Sequence, residues 1–361
     1  MLTSSHRIGI VLLILMVFST PSWGRELTVG GTLCLEYQVL TEFTPYQGEF
    51  QRNLQLDLSS FGGDTNLVVS LEIGDIGDGI QVREAYGEFY TDSTDWIMGI
   101  QFIPWGVMDG SSPTDIINPV NYQNPLASDN RIAVAALRTR HYVGDWELDG
   151  VWVPRFESHR LPHELPNHQV PELIAANGDL GIRISRWLPG MDIAGTYYYG
   201  WDKSPLPQVD GVSNEVSFVH QRYHMLGASA TKDFGAMVGR AEVARFQPEV
   251  TDSYVQYAIG FDRSLTNELV LMGQLNGTWD GDQNPMVIMA SLQYEATAHL
   301  KALVSGIYAV TDKDFLVNPS IVWDAADGLE ISAGMYYISG DGALGNLQTL
   351  QNVYVRARFA F

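Results

Sequence analysis

The sequence predicts an all-β protein: a transmembrane, antiparallel, up-and-down β-barrel of about 18 strands, with about 16 as the next choice. Three observations predict it. Period-two alternation of apolar and polar residues returns in runs of about ten residues from Leu27 to the end of the chain. The connections between these runs are sorted by length according to parity. The chain opens on an export-type segment and closes on an alternating run that ends in phenylalanine.

Successive side chains of a strand point to opposite faces, so an alternating run has one apolar and one polar face. In the first run Leu27, Val29, Gly31, Leu33, Leu35, Tyr37 and Val39 are separated by Thr28, Gly30, Thr32, Cys34, Glu36 and Gln38. The same pattern recurs at Leu54/Leu56/Leu58, Leu67/Val69/Leu71/Ile73 and Trp96/Met98/Ile100/Phe102. It continues at Val255/Tyr257/Ile259/Phe261, Leu269/Leu271/Gly273/Leu275 and Leu329/Ile331/Ala333/Met335/Tyr337. The runs begin near residues 27, 49, 66, 81, 96, 132, 146, 179, 192, 218, 237, 254, 269, 286, 300, 315, 329 and 352. After Gly24 no stretch reaches the roughly 18 consecutive apolar residues of a transmembrane helix.

From the second run onward every other connection is short: 60–65, 91–95, Gly144-Asp145, 189–191, 232–236, 262–268, 295–299 and 325–328. All the long ones, 104–131, 154–178, 202–217 and 339–351, fall in the other set. Short periplasmic turns alternating with long external loops are the signature of a membrane barrel, whereas a soluble sandwich has no reason to sort its loops. Trp96, Trp146, Trp152, Trp187, Trp201, Trp279 and Trp323 lie near run ends, where barrels carry interfacial aromatic girdles.

Residues 1–24 read as a cleaved signal peptide: His6 and Arg7, an apolar stretch from Ile8 to Ser19, then Ser22-Trp23-Gly24. Residues 25–361 form one barrel domain. Val353, Val355, Ala357, Phe359 and Phe361 alternate with Tyr354, Arg356, Arg358 and Ala360. Phe359 and Phe361 are therefore expected to be the terminal signal read by a barrel-assembly machinery. With 21 basic against 42 acidic residues and a net charge of −21, nucleic acid is excluded as a partner. The expected location is the outer membrane of a Gram-negative-type envelope, with its lipid as the surrounding partner.

The stretch Arg83-Glu84-Ala85-Tyr86, Gly99-Ile100-Gln101, Trp105-Gly106, Asp109-Gly110 and Asp115-Ile116-Ile117-Asn118-Pro119 resembles a family of Gram-negative outer-membrane proteins of unassigned function. A second patch is similar: Tyr142-Val143-Gly144-Asp145-Trp146, then Gly150-Val151-Trp152-Val153-Pro154-Arg155-Phe156. The resemblance covers a minority of the chain and implies a barrel and its location; it implies no substrate.

The 104–131 connection is the main functional candidate. It is long and carries Pro104, Pro113, Pro119 and Pro125, which stiffen it, together with Asp109, Asp115 and Asn118. Two placements are open: folded into the lumen as a constriction, or a stiff lid on the outer rim. The polar parity carries Glu36, Asp57, Glu72, Glu84, Glu88, Glu147, Asp149, Asp192, Glu242 and Glu330 against Arg183, Arg240, Arg356 and Arg358. Of these, Glu84, Glu88, Arg240, Arg356 and Arg358 join Asp109, Asp115 and Asn118 as constriction candidates, and the acid excess predicts mild cation preference. Arg52, Arg83 and Arg245 fall on the apolar parity near outer strand ends, where two readings are open: pairing with lipid phosphates, or ordinary snorkelling at the rim. His159, His163 and His168 are a candidate metal group, although Pro162 and Pro166 deny them a helix that would align them.

No catalytic constellation and no cofactor motif is present. The expected function is a porin-like channel for passive or facilitated passage of small solutes. The alternative is a non-transporting barrel used in adhesion or envelope structure.

Overall fold

The computed structural model describes residues 26–41, 46–74, 79–123, 125–126, 130–171, 177–209, 215–282 and 284–361; the export segment expected over 1–24 lies outside them. Among the described residues an 18-stranded antiparallel sheet closes on itself. Its first half is β1 (Glu26–Leu40), β2 (Gln47–Gly62), β3 (Thr65–Gly74), β4 (Gly79–Tyr90), β5 (Thr94–Gln101), β6 (Val134–Val143), β7 (Trp146–Val153), β8 (Asp179–Leu188) and β9 (Met191–Trp201). A separate hairpin, β10 (Leu206–Val209) and β11 (Val216–Val219), stands outside the barrel sheet. The wall resumes with β12 (Arg222–Asp233), β13 (Met237–Pro248), β14 (Tyr254–Ser264), β15 (Leu269–Trp279) and β16 (Met286–Thr297). It ends with β17 (Leu300–Ala309), β18 (Asp314–Ala326), β19 (Leu329–Ser339) and β20 (Asn352–Ala360).

The strand count and the sorting of turns and loops match the sequence reading. The largest difference in a strand start, 218 against Arg222, has a physical cause: Val216–Val219 pairs with Leu206–Val209 in a hairpin of its own. A 3-10 helix over Gly345–Leu350 is a second unforeseen element, in the loop before β20.

Closure follows from β1, which pairs with both β2 and β20. The last residue completes the seam, because Phe361 and Gly31 exchange two backbone hydrogen bonds of 3.0 Å. The Phe361 ring lies over Gly31, where a Cβ would sit 2.7 Å from Cζ.

Register fixes which side chains share a face. Glu36 is opposite Arg356, Glu330 is opposite Arg358, and Asp149 lies between Arg140 and Arg183. All of the acids and arginines read onto the polar parity point inward. Outside, Leu226 (67 % exposed), Ile259 (60 %) and Ile321 (56 %) belong to an apolar surface that is stable only against hydrocarbon. Trp96, Trp146 and Trp323 face outward near the short turns, and Trp152, Trp201 and Trp279 near the long loops, giving two belts. Trp187 departs from this pattern: it shares the inward parity of Ser185 and stacks on Tyr142 at 6.4 Å.

Arg83 departs too. The β3–β4 register shifts between Ser70 and Leu71, leaving Arg83 as the extra residue of a bulge. Its Nη1 lies 4.0 Å from the inward Glu72 and its guanidinium 5.2 Å from the Phe102 ring, so at the bulge simple parity does not set where it points. Arg52 and Arg245 keep the outward parity expected of them.

Gly99 on β5 has φ +137°, and an added Cβ would lie 2.2 Å from the Ala85 carbonyl oxygen. Gly99→Ala is expected to cost roughly 2–4 kcal/mol through backbone strain and overlap. The check is the fraction migrating as folded barrel in unheated gels; an unchanged fraction would refute this account.

Candidate functional site

The connection between β5 and β6 turns into the lumen. Its two limbs are tied together at the root: Asn118 Oδ1 accepts from Ile103 N at 2.7 Å, and Asn118 Nδ2 donates to Ile132 O at 2.9 Å and to Gln101 O at 3.3 Å. Asp115 pairs with Arg131 and accepts from Trp105 N at 3.4 Å. Glu84, on the wall, accepts from Phe102 N at 3.0 Å. From this root the Trp105 side chain reaches across β7 and donates Nε1 to Asp149 at 2.9 Å, a carboxylate that Arg138 also grips through Nε and Nη2.

Glu242, an inward side chain of β13 and 3 % exposed, holds the far end of the loop. One oxygen accepts from Val107 N and from Met108 N, the latter at 3.2 Å. The other accepts from Ser112 Oγ at 2.7 Å, Thr114 N at 3.1 Å and Thr114 Oγ1 at 3.0 Å. A buried carboxylate needs such donors to remain ionised without penalty, and the loop needs an acceptor for amides that no strand satisfies. Beyond this anchor Gln274 Nε2 donates to Ser111 O at 2.7 Å.

The wall has room for the loop because it carries small residues there. Trp105 lies over Gly181, Thr114 over Gly227 and Met108 over Gly260, each closer than a Cβ allows comfortably. Ala244 and Ala258, both fully buried, lie between them on β13 and β14. Ile103, Trp105 and Ile117 thereby join inward residues of β6, β7, β9, β12 and β13 in one apolar cluster.

At the tip Asp109, with a side chain 60 % exposed, is 3.0 Å from Arg240 Nη1, and Arg240 Nη2 pairs with Asp262 of β14. Of the constriction candidates, then, Asp109 and Arg240 come together. Asp115 and Asn118 are both buried, so their side chains fix the loop and do not face an open lumen. Arg356 and Arg358 belong to β20, with six strands between it and β13. Arg356 Nε donates to Glu36 at 2.6 Å and stands 5.1 Å from the Tyr354 ring. Glu88 accepts from Asn66 at 2.9 Å and from Tyr90, and lies 4.0 Å from Arg140. Asp262 and the loop-anchoring role of Glu242 were not foreseen. Small residues on the polar parity of β8, β12, β13 and β14 were the available signal.

The histidines of the 154–178 loop do not converge. His159 Nδ1 accepts from Val120 N at 2.8 Å, while His168 Nε2 meets His220 Nε2 at 2.9 Å. Among the described residues no group of three His, Cys, Asp or Glu side chains is arranged to hold a metal, which corrects the grouping of His159, His163 and His168. Spacing along an irregular loop fixes no ligand geometry.

This architecture has solved counterparts. A loop L8 deletion mutant of OmpT, an outer membrane protein of Vibrio cholerae, superposes with a TM-score of 0.51 at 10% identity over 94% of this chain and 100% of that one. A mutant of Rh. blastica porin superposes with a TM-score of 0.50 at 10% identity over 93% and 100%. The fold is that of an outer-membrane β-barrel. At such identity the likeness carries the fold alone; no family model and no curated protein matches the barrel's sequence.

Proposed function

We propose that the chain resides in a Gram-negative-type outer membrane as a porin-like, non-enzymatic channel for small hydrophilic solutes, with mild cation preference. One observation supports this reading above others: the lumen is lined asymmetrically. Inward residues of the β6–β13 side, such as Val151, Tyr198, Met225 and Phe246, are buried. Most of those of β1, β2, β16 and β17, including Glu36, Asn53, Asp57, Ser291, Gln293 and Ser305, are part-buried or exposed, with Gln38, Leu40 and Ala309 as buried exceptions. A polar, water-accessible path would therefore run between the loop and the wall opposite it.

In this reading Asp109, Arg240 and Asp262 form the narrow side of the path, Arg356 and Arg358 face it from β20, Glu84 stands at the loop root, and Glu88 lies farther along β4 toward the short turn. Asp115 and Asn118 set the loop's shape. Phe359 and Phe361 are the assembly signal for the barrel-assembly machinery, their rings stacked at 6.1 Å on the lipid face.

Liposome swelling with sugars of graded size tests the proposal. Swelling that falls off with solute size is expected, with a reversal potential in a salt gradient of the cation-preferring sign. Absence of swelling would transfer support to the adhesion or envelope reading, which the hydrogen-bonded outer loops favour. Anion preference would remove the selectivity claim.

A further inference from the structure

Three external connections are zipped edge to edge, and a histidine stands at each seam. The lumen loop joins the 154–178 loop through Tyr122 N to Arg160 O at 2.8 Å and Arg160 N to Val120 O at 3.0 Å. Beside them Val120 N donates to His159 Nδ1 at 2.8 Å. The 154–178 loop joins strand β11 of the β10–β11 hairpin through Gln169 N to Phe218 O at 2.8 Å and Phe218 N to Asn167 O at 3.3 Å. There His168 Nε2 and His220 Nε2 lie 2.9 Å apart.

Both seams require neutral imidazole. A ring nitrogen that accepts from a backbone N–H carries no proton, so His159 closes its seam only when uncharged. His220 Nδ1 lies 2.8 Å from Asp202 O and must donate to it; its Nε2 then accepts from His168 Nε2–H. Protonating His220 places two N–H groups face to face.

We propose that His159, His168 and His220 form an acid-released latch on the outer loops: protonation separates the 154–178 loop from both of its neighbours. Burial, followed by the nearby Lys203 ammonium, pushes His159 down to about 4. Burial is also the main cause that lowers His220 to about 4, with His168 and Lys203 adding to it and the Asp202 hydrogen bond opposing. Lys203 is itself buried and held by Asp179 and Tyr198. The other groups facing the histidines are Tyr122 and Phe156, whose rings lie 5.3 Å from His159 and 4.6 Å from His220, and Asp202.

The sign follows from linkage. The closed seam binds fewer protons than the open one, so closure is complete above the free imidazole value of roughly 6.5 and is lost as pH falls toward about 4. Each of these two histidines weakens closure by up to roughly a hundredfold over that window. The latch does not depend on what crosses the lumen, and its test reads the loops directly.

Deuterium exchange of the refolded full chain in detergent micelles, corrected for intrinsic pH dependence with an unstructured peptide, compares pH 7.5 with pH 4.5. Amides of Tyr122, Arg160, Gln169 and Phe218 are expected to exchange at least tenfold faster at the lower pH, with the amides of the 18-stranded barrel sheet unchanged. The double variant His159→Asn/His220→Gln places a neutral acceptor oxygen near each ring nitrogen and should cut the response below threefold. No acceleration in the wild type would overturn the latch, and a full response in the double variant would assign it to Asp202 instead. Seams loosened by EDTA at pH 7.5 would overturn it in favour of a bound metal. Independently, carbon-detected imidazole titrations must place His159 and His220 at least one unit below free histidine; ordinary titration of both would end the proposal.

Discussion

Replacing Glu242 by alanine will free the lumen loop and raise single-channel conductance at least twofold in planar bilayers, with a noisier open state. The carboxylate receives five hydrogen bonds from residues 107–114. Hydrogen bonds to a charged acceptor contribute about 1.5–3 kcal/mol each, and stranding a buried donor costs about 1–3 kcal/mol. Even with strong non-additivity, the anchored state loses several kcal/mol, more than a loop of this kind is expected to tolerate. The barrel ladder is untouched, so the folded band on unheated gels should persist. Glu242→Gln should be intermediate: its amide keeps one acceptor oxygen but turns an N–H toward a cluster of donors. Deleting 107–126 sets the upper limit of the increase. Wild-type conductance in Glu242→Ala, with the loop still protected from protease, would show that the loop holds itself in place.

Arg240→Ala should shift the permeability ratio toward cations by roughly two- to tenfold at low salt. Arg240 neutralises Asp109 and Asp262 together. Its loss leaves two carboxylates at the loop tip. One unit of charge about 10 Å from a permeating ion contributes roughly 0.4–1.7 kcal/mol for an effective dielectric constant between about 80 and 20. Asp109→Asn should shift the ratio the opposite way, by less, because Asp262 still compensates the guanidinium. Both effects should shrink as salt rises toward molar concentration, where the screening length falls to about 3 Å. Ratios unchanged in both variants would mean that ions are discriminated elsewhere, with the Glu36–Arg356 pair on the opposite wall the next place to look.

The barrel was almost wholly legible in the sequence, because lipid enforces one parity: a single outward polar residue in mid-strand is costly, so the outward positions stay apolar over most runs, whereas the inward ones are free to be polar or apolar. Arg83 misled because a bulge adds one residue and reverses parity beyond it, and nothing local at that position marks the bulge. The lumen loop was legible as long and stiff, but its destination was not. The space it fills is made by Gly181, Gly227 and Gly260 on three strands, and only the register brings them into one groove. Glu242 was readable as an inward acid; its partners are mainly backbone amides, which a sequence does not distinguish. Asp115 and Asn118 drew attention as polar loop residues, yet that polarity serves the loop's own main chain. The histidine trio could not be placed from its interval, because spacing without regular secondary structure carries no geometry, as Pro162 and Pro166 already indicated.

The seam between Gly31 and Phe361 ties the two ends of the described chain to each other. Until the final strand arrives, the first one presents a row of bare amides and carbonyls, which hydrocarbon cannot satisfy. Insertion therefore cannot finish piecemeal, strand by strand, from a growing chain. The sheet must be rolled up, or its margin shielded by something else, before lipid surrounds it, and a polypeptide lacking β20 would retain an open border along β1.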